Sequence, residues 1–307
     1  MITPITFAGG IGPTTIQNKH VSSPLLGKSG FDSVSFTSAN ILTKPSKEIT
    51  KTVLSALENK MNFIGEGTEG CVYKIPDSDY CVKVFKNEDY SFGYWSVNLH
   101  TSERVNHILA RAENNAVIMK YIQGIPMDRF KRDVSDIPTN SIKQLLTQIV
   151  HANEEAMLFD SAPSNVIYNP RDKSLTAIDF YADYERECSE ARPLSKIFGS
   201  LSVKDDSDVA KSINRKLGGK ILNIIIDDIA TQKEPQFPLD KGDINHLLNK
   251  IRFSQNFDTP PQFECLVRSL NNIVDMKSNK IPETGKGKNL EGEIKFSKCI
   301  IKQCLEQ

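Results

Sequence analysis

The sequence predicts an α+β fold of two lobes: a small antiparallel β unit followed by a mainly helical one. Three observations predict it. Phe63 to Phe85 is short, β-branched and turn-rich, which reads as two or three antiparallel strands. A glycine-rich turn, Gly65-Glu66-Gly67-Thr68-Glu69-Gly70, lies inside that stretch. Apolar residues at helical spacing then dominate from Ile142 to Met157 and again after Asp206.

Taken in order, residues 1–50 hold 14 Ser/Thr and only two acids, Asp32 and Glu48, with no sustained period. Such a segment cannot bury enough apolar surface to order itself. It has neither the basic start nor the apolar stretch of a cleaved secretory signal, and reads as a floppy tail or as an address that is not removed. Glu48 to Asn62 has helical spacing at Ile49, Val53, Leu54 and Leu57, so folded structure is expected to begin near residue 53. Pro76-Asp77-Ser78-Asp79 marks a hairpin between strands. Ser102 to Arg111 has helical periodicity. Beyond Asp206, helices are expected at Val209 to Lys216, Lys220 to Ile229, Ile244 to Ile251 and Phe263 to Val274, and a basic linker, Lys280 to Lys288, precedes a last amphipathic stretch. The expected organisation is 1–52, a flexible segment; 53–218, a catalytic domain; and 219–307, a helical region that either completes the second lobe or forms a separate partner-binding module.

Composition removes several function classes. Lys+Arg and Asp+Glu both number 38, so the chain lacks the electrostatic footprint of a nucleic-acid binder. The run Ile221 to Ile226 stops at Asp227 and Asp228, far short of the roughly 18 apolar residues that span a bilayer, so no transmembrane segment is expected. The six cysteines and five histidines are scattered without metal-site spacing.

The chemistry lies in three constellations. Gly65, Gly67, Gly70 and Val72 fit G-x-G-x-x-G-x-V. That pattern serves a dinucleotide-binding turn when a helix follows and a kinase nucleotide lid when a strand follows; here Cys71-Val72-Tyr73-Lys74-Ile75 and a turn follow, which favours the lid. Glycines let backbone approach phosphate oxygens, and Val72 would cover adenine. On the next strand, Tyr80 to Phe85, Lys83 stands where kinases carry the lysine of V-A-I-K and would pair the α- and β-phosphates. Glu103, twenty residues on, is placed to form the ion pair that positions Lys83. Ala116 to Gly124 reads as a buried strand and hinge, with Met119, Lys120, Tyr121 and Ile122 beside the base. The third constellation is D-x-x-x-x-N followed by D-F: Asp160, Asn165, then Asp179-Phe180. Phosphoryl transfer needs a carboxylate to accept the hydroxyl proton, assigned to Asp160, and hard oxygen donors for Mg²⁺, assigned to Asn165 and Asp179. ATP and Mg²⁺ are the expected cofactors, and the fold class becomes bilobal protein-kinase-like.

Met157 to Phe180 (M-L-F-D-S-A-P-S-N-V-I-Y-N-P-R-D-K-S-L-T-A-I-D-F), with Asp133 to Pro138 and Ser207 to Lys216, resembles the small protein kinases secreted by bacterial type III systems, of the OspG and NleH kind. The resemblance covers about residues 60–218. It implies a Ser/Thr kinase delivered into the host cytosol by an uncleaved N-terminal signal, host immune-signalling proteins as substrates, and ubiquitin or ubiquitin-loaded conjugating enzyme as a partner. It also implies that Asp208 is the anchoring acid of a closing helix. Three departures accompany it. Leu158-Phe159 replaces H-R, so no arginine there awaits an activation-loop phosphate and no activating phosphorylation is expected. Ala162 replaces the lysine that reaches the γ-phosphate, which implies slow turnover or a need for a partner. Phe180-Tyr181 replaces F-G, with only Ala191-Arg192-Pro193 left of A-P-E, so the activation segment is expected to be reduced. Two rivals stand beside the kinase: a pseudokinase that binds ATP and host proteins without phosphoryl transfer, and a small-molecule phosphotransferase, whose usual catalytic-loop histidine is absent.

Overall fold

A computed structural model describes residues 62–86, 108–112, 116–130, 136–154, 157–182, 192–232, 236–237, 240–253, 261–278, 284–285 and 288–306. The expected 1–52 segment, the expected helix before Asn62 and the position of Glu103 lie outside them. The described fold is mixed α+β, with an antiparallel sheet and six α-helices, in two compact units, Met1–Tyr121 and Ile122–Gln307.

The first unit is built on β1 (Phe63–Glu66), β2 (Gly70–Lys74), β3 (Tyr80–Phe85), β4 (Ile108–Ala112) and β5 (Ala116–Lys120), in the order β1-β2-β3-β5-β4 with every neighbour antiparallel. The expected P-D-S-D hairpin joins β2 to β3. Asp77 takes φ +52°, a left-handed conformation that aspartate tolerates better than most residues. Ser78 Oγ donates to the Ile75 carbonyl at 2.9 Å, and the Ile75 N–H donates to the Tyr80 carbonyl at 3.0 Å. Val82, Ala116 and Val117 are completely enclosed, so the middle of the sheet forms this unit's core.

The helical reading of Ser102 to Arg111 is corrected at its end, because residues 108–112 are strand β4. A few apolar and small residues fit either period. The backbone edge of β5, with N–H and C=O groups to satisfy, settles them as its antiparallel partner.

The second unit opens with β6 (Ile125–Pro126) and a 3₁₀ turn (Met127–Arg129). Helix α1 (Thr139–Glu154) buries Ile142, Leu145, Leu146 and Ile149, the i, i+3, i+4, i+7 stripe that the periodicity predicts. There follow β7 (Met157–Phe159), a 3₁₀ turn (Pro163–Asn165), β8 (Val166–Tyr168), β9 (Leu175–Ala177) and β10 (Phe180–Ala182). These strands form a three-stranded sheet, β6-β8-β9, and a β7-β10 pair.

Helices α2 (Pro193–Leu201), α3 (Asp208–Thr231), α4 (Lys241–Phe253), α5 (Pro261–Lys277) and α6 (Leu290–Cys304) complete the unit. The two helices expected at Val209 to Lys216 and Lys220 to Ile229 are one. Gly218 and Gly219 lie inside α3 without breaking it, and the expected domain boundary after residue 218 falls within this helix. A Cβ on Gly218 would stand 2.5 Å from Ile251 Cδ1 of α4, and one on Gly219 would meet Leu305 Cβ at 3.3 Å. The glycines thus act as packing residues that admit α4 and the end of the chain against α3. Residues 219–307 belong to the second unit through this packing. The basic linker also holds structure: β11 (Thr284–Gly285) and β12 (Lys288–Asn289) pair antiparallel just before α6.

Candidate active site

In the first unit the glycine-rich stretch forms the β1–β2 hairpin turn, closed by the Gly67 N–H donating to the Gly70 carbonyl at 2.9 Å. Gly70 has no alternative. A Cβ there would overlap the Val84 carbonyl oxygen of β3, which passes alongside. A Cβ at Gly65 or Gly67 would meet nothing within 4 Å, so these two glycines leave the turn's backbone open. Lys86 fastens the turn from β3's end. Its N–H donates to the Glu69 carbonyl at 2.8 Å, and its Nζ reaches the Gly67 carbonyl at 2.9 Å and Glu66 Oε1 at 2.6 Å.

Lys83 lies on the third strand, directly opposite Val72 on β2 and Val117 on β5. It is only 8% exposed, and an ammonium so enclosed needs an anionic partner. Glu69 Oε2, 2.8 Å from Nζ, supplies one. Glu103, expected in that role, lies outside the described residues, and Glu69 is a partner that the spacing argument does not point to. The available signal was an acid just before β2, the strand that pairs directly with the one carrying Lys83. Lys83 Nζ also lies 5.1 Å from the Phe85 ring centroid.

Of the hinge residues, Met119 and Lys120 close β5 opposite Cys81 and Tyr80, and Tyr121 and Ile122 are where one compact unit ends and the next begins. The Tyr121 N–H already donates to the Asp79 carbonyl at 2.7 Å, so of the groups expected to read a base it is committed within the sheet. Burial pushes the Cys81 thiol up to about 11 and holds it neutral.

In the second unit, Asp160, Asn165 and Asp179 are brought together. Strand β10 pairs with β7 so that Phe180 faces Phe159, and both rings are fully buried 5.3 Å apart. That pairing sets Asp179 beside Asp160, whose N–H donates to the Asp179 carbonyl at 3.4 Å. Both carboxylate oxygens of Asp160 are held: Oδ1 accepts from the Ala162 N–H at 3.3 Å and Oδ2 from Asn165 Nδ2 at 2.9 Å. The 3₁₀ turn places Asn165, whose carbonyl accepts from the Ile178 N–H at 2.8 Å. Asp179 follows at φ +69°. With its Nδ2 turned to Asp160, Asn165 keeps Oδ1 for another partner. One amide oxygen and one carboxylate suit a hard divalent cation that takes its remaining ligands from water and phosphate. Among the described residues no group of three or more His, Cys, Asp and Glu gathers into a metal cage.

The sequence departures have structural causes. Leu158 and Phe159 are buried strand residues, 5% and 0% exposed, so their places belong to core. Pro193 is the first residue of α2. Asp208 is corrected: its side chain is fully exposed and reaches only Lys211, at 3.7 Å. Asp243, by contrast, is buried and holds backbone, accepting from the N–H groups of Leu194 and Ser195 at 2.9 and 3.2 Å. Lys220 of α3 donates to the Ile137 carbonyl at 3.0 Å.

Among the described residues no helix is long and apolar enough to cross a membrane. Comparison with protein-family models finds no match, and comparison with curated proteins finds none either.

Proposed function

We propose that the chain is a protein-kinase-like enzyme that transfers the γ-phosphoryl group of ATP to hydroxyls of host-protein Ser/Thr residues after delivery by a type III system. The observation that carries this reading is the convergence of Asp160, Asn165 and Asp179 on the β7–β10 framework. A buried lysine on the third strand, behind a glycine turn, supports it from the other unit.

In this reading the substrate oxygen attacks the γ-phosphorus as the bond to the β–γ bridging oxygen breaks and ADP leaves. Asp160, held at both oxygens, accepts the hydroxyl proton. Lys83 donates to the phosphate oxygens, and the open backbone at Gly65 and Gly67 admits them closely. Asn165 Oδ1 and the Asp179 carboxylate would hold Mg²⁺, which neutralises charge on the phosphates. The test is the intact mass of the protein after incubation with Mg²⁺-ATP, alone and with ubiquitin-loaded conjugating enzyme. Wild type is expected to gain 80 Da steps, about one per phosphate added, and Asp179→Ala none. Equal gain in both removes the assignment of Asp179.

One observation favours the pseudokinase alternative: Glu69 occupies the lysine meant for phosphate. A carboxylate on the lid competes with a polyphosphate for the same ammonium. Glu69→Gln is therefore expected to tighten ATP binding about threefold to tenfold, read by calorimetric titration, the modest size reflecting the partial exposure of Glu69. Weaker binding would instead make Glu69 a supporting partner of Lys83. ATP binding without any mass gain in wild type would establish the pseudokinase.

A further inference from the structure

We propose that Gln148 of α1 is the positioning residue for Asp179 and Asn165, an inference that rests on the phosphotransfer reading above. Gln148 Nε2 donates to the Ala177 carbonyl at 2.9 Å, and the Ala177 N–H donates to Gln148 Oε1 at 2.9 Å. Ala177 ends β9, whose strand partner is β8. The carboxamide therefore satisfies both backbone groups of Ala177, as a further strand would.

The position of this clamp gives it consequence. Ala177 is completely buried, so without the carboxamide its N–H and C=O lose their partner where water does not replace it. One residue on, the Ile178 N–H holds the Asn165 carbonyl, and two residues on, Asp179 adopts the left-handed conformation. Aspartate enters that region at a conformational cost and stays there when the chain is fixed on both sides. Phe180, paired with Phe159, fixes the downstream side. Gln148 fixes the upstream side from a helix whose neighbouring residues, Leu145 and Ile149, are locked in the core. The two groups assigned to the metal thus share one support.

The readouts are the Mg²⁺ concentration at half-maximal phosphoryl transfer and, without turnover, the affinity for Mn²⁺ titrated in the presence of a non-hydrolysable ATP analogue, in wild type, Gln148→Leu and Gln148→Glu, with folding checked by near-UV circular dichroism. Leucine keeps the volume and removes both bonds; glutamate keeps the acceptor and loses the donor. Both variants are expected to raise the Mg²⁺ midpoint at least fivefold and to lower kcat more than they change KM for ATP. A merely structural role lowers the active fraction and leaves the midpoint of the surviving enzyme unchanged. Folded variants with the wild-type midpoint would overturn the inference, and if the leucine variant does not fold, the glutamate variant decides alone. Wild type without Mg²⁺-dependent transfer would overturn the underlying reading and this inference with it. Active wild type with unshifted variants overturns the inference alone.

Discussion

Asp160→Asn is expected to lower the rate of phosphoryl transfer by about 10² to 10⁴, the usual contribution of a positioned general base, while nucleotide affinity changes less than about twofold. The amide cannot accept the hydroxyl proton. It also disturbs its neighbour, because Asn165 Nδ2 donates to Asp160 Oδ2 at 2.9 Å and an amide nitrogen placed there would set donor against donor. Either side chain must turn over. If Asn165 turns, it presents nitrogen where the cation requires oxygen, so one substitution removes the base and weakens a ligand. Initial rates at saturating Mg²⁺-ATP, with nucleotide affinity measured separately, check this. Retention of more than a tenth of wild-type activity would move the general base elsewhere.

The largest effect on stability is expected at Asp243, which caps the N-terminus of α2 from α4. That terminus has no side-chain cap of its own, with Arg192 at the capping position and Pro193 following. Asp243 is 2% exposed, and burial pushes its carboxyl up to about 6 despite the two backbone N–H groups, with Asp240 adding to the rise. Because the folded value lies above the unfolded one, the native state binds the proton more tightly. The group's stabilisation is full below about pH 4 and is lost as pH rises through about 6, on the order of 3 kcal/mol in all.

Asp243→Asn, which keeps an acceptor without the charge, is expected to lack this loss, so its stability relative to wild type rises between pH 4 and 7. Asp243→Ala leaves two backbone donors of α2 without a cap and is expected to lower stability by about 2–4 kcal/mol at pH 5, roughly 5–15 °C in Tm. Thermal melts of the three proteins across that pH range decide the matter. A difference curve between wild type and the asparagine variant that is flat with pH would remove Asp243 as the titrating group. Burial lowers the titration of neighbouring Lys250, an effect the Asp243 carboxylate opposes, and Lys250 Nζ donates to the Ser195 carbonyl at 3.1 Å.

What was legible in the sequence was what neighbouring residues specify. A glycine-rich turn followed by β-branched residues reads as a hairpin, and the strand-forming run Tyr80 to Phe85 after the next turn places Lys83 on the third strand. The separations Asp160, Asn165 and Asp179 suffice to identify one site because the turn and the two short strands between them have few ways to fold back. The apolar stripe of α1 is equally local, recurring every three to four residues. Tertiary structure alone decided the rest. Residues 108–112 became a strand because β5 offers an edge, and α3 ran through Gly218 and Gly219 because α4 packs where side chains are missing. Glu69 met Lys83 between adjacent strands, Gln148 met Ala177 across 29 positions, and Asp243 reached the Leu194 backbone across 49 while Asp208 stayed exposed. Each of these pairings satisfies a buried charge or backbone group, and which polar group is left in need is known only once the apolar faces have packed.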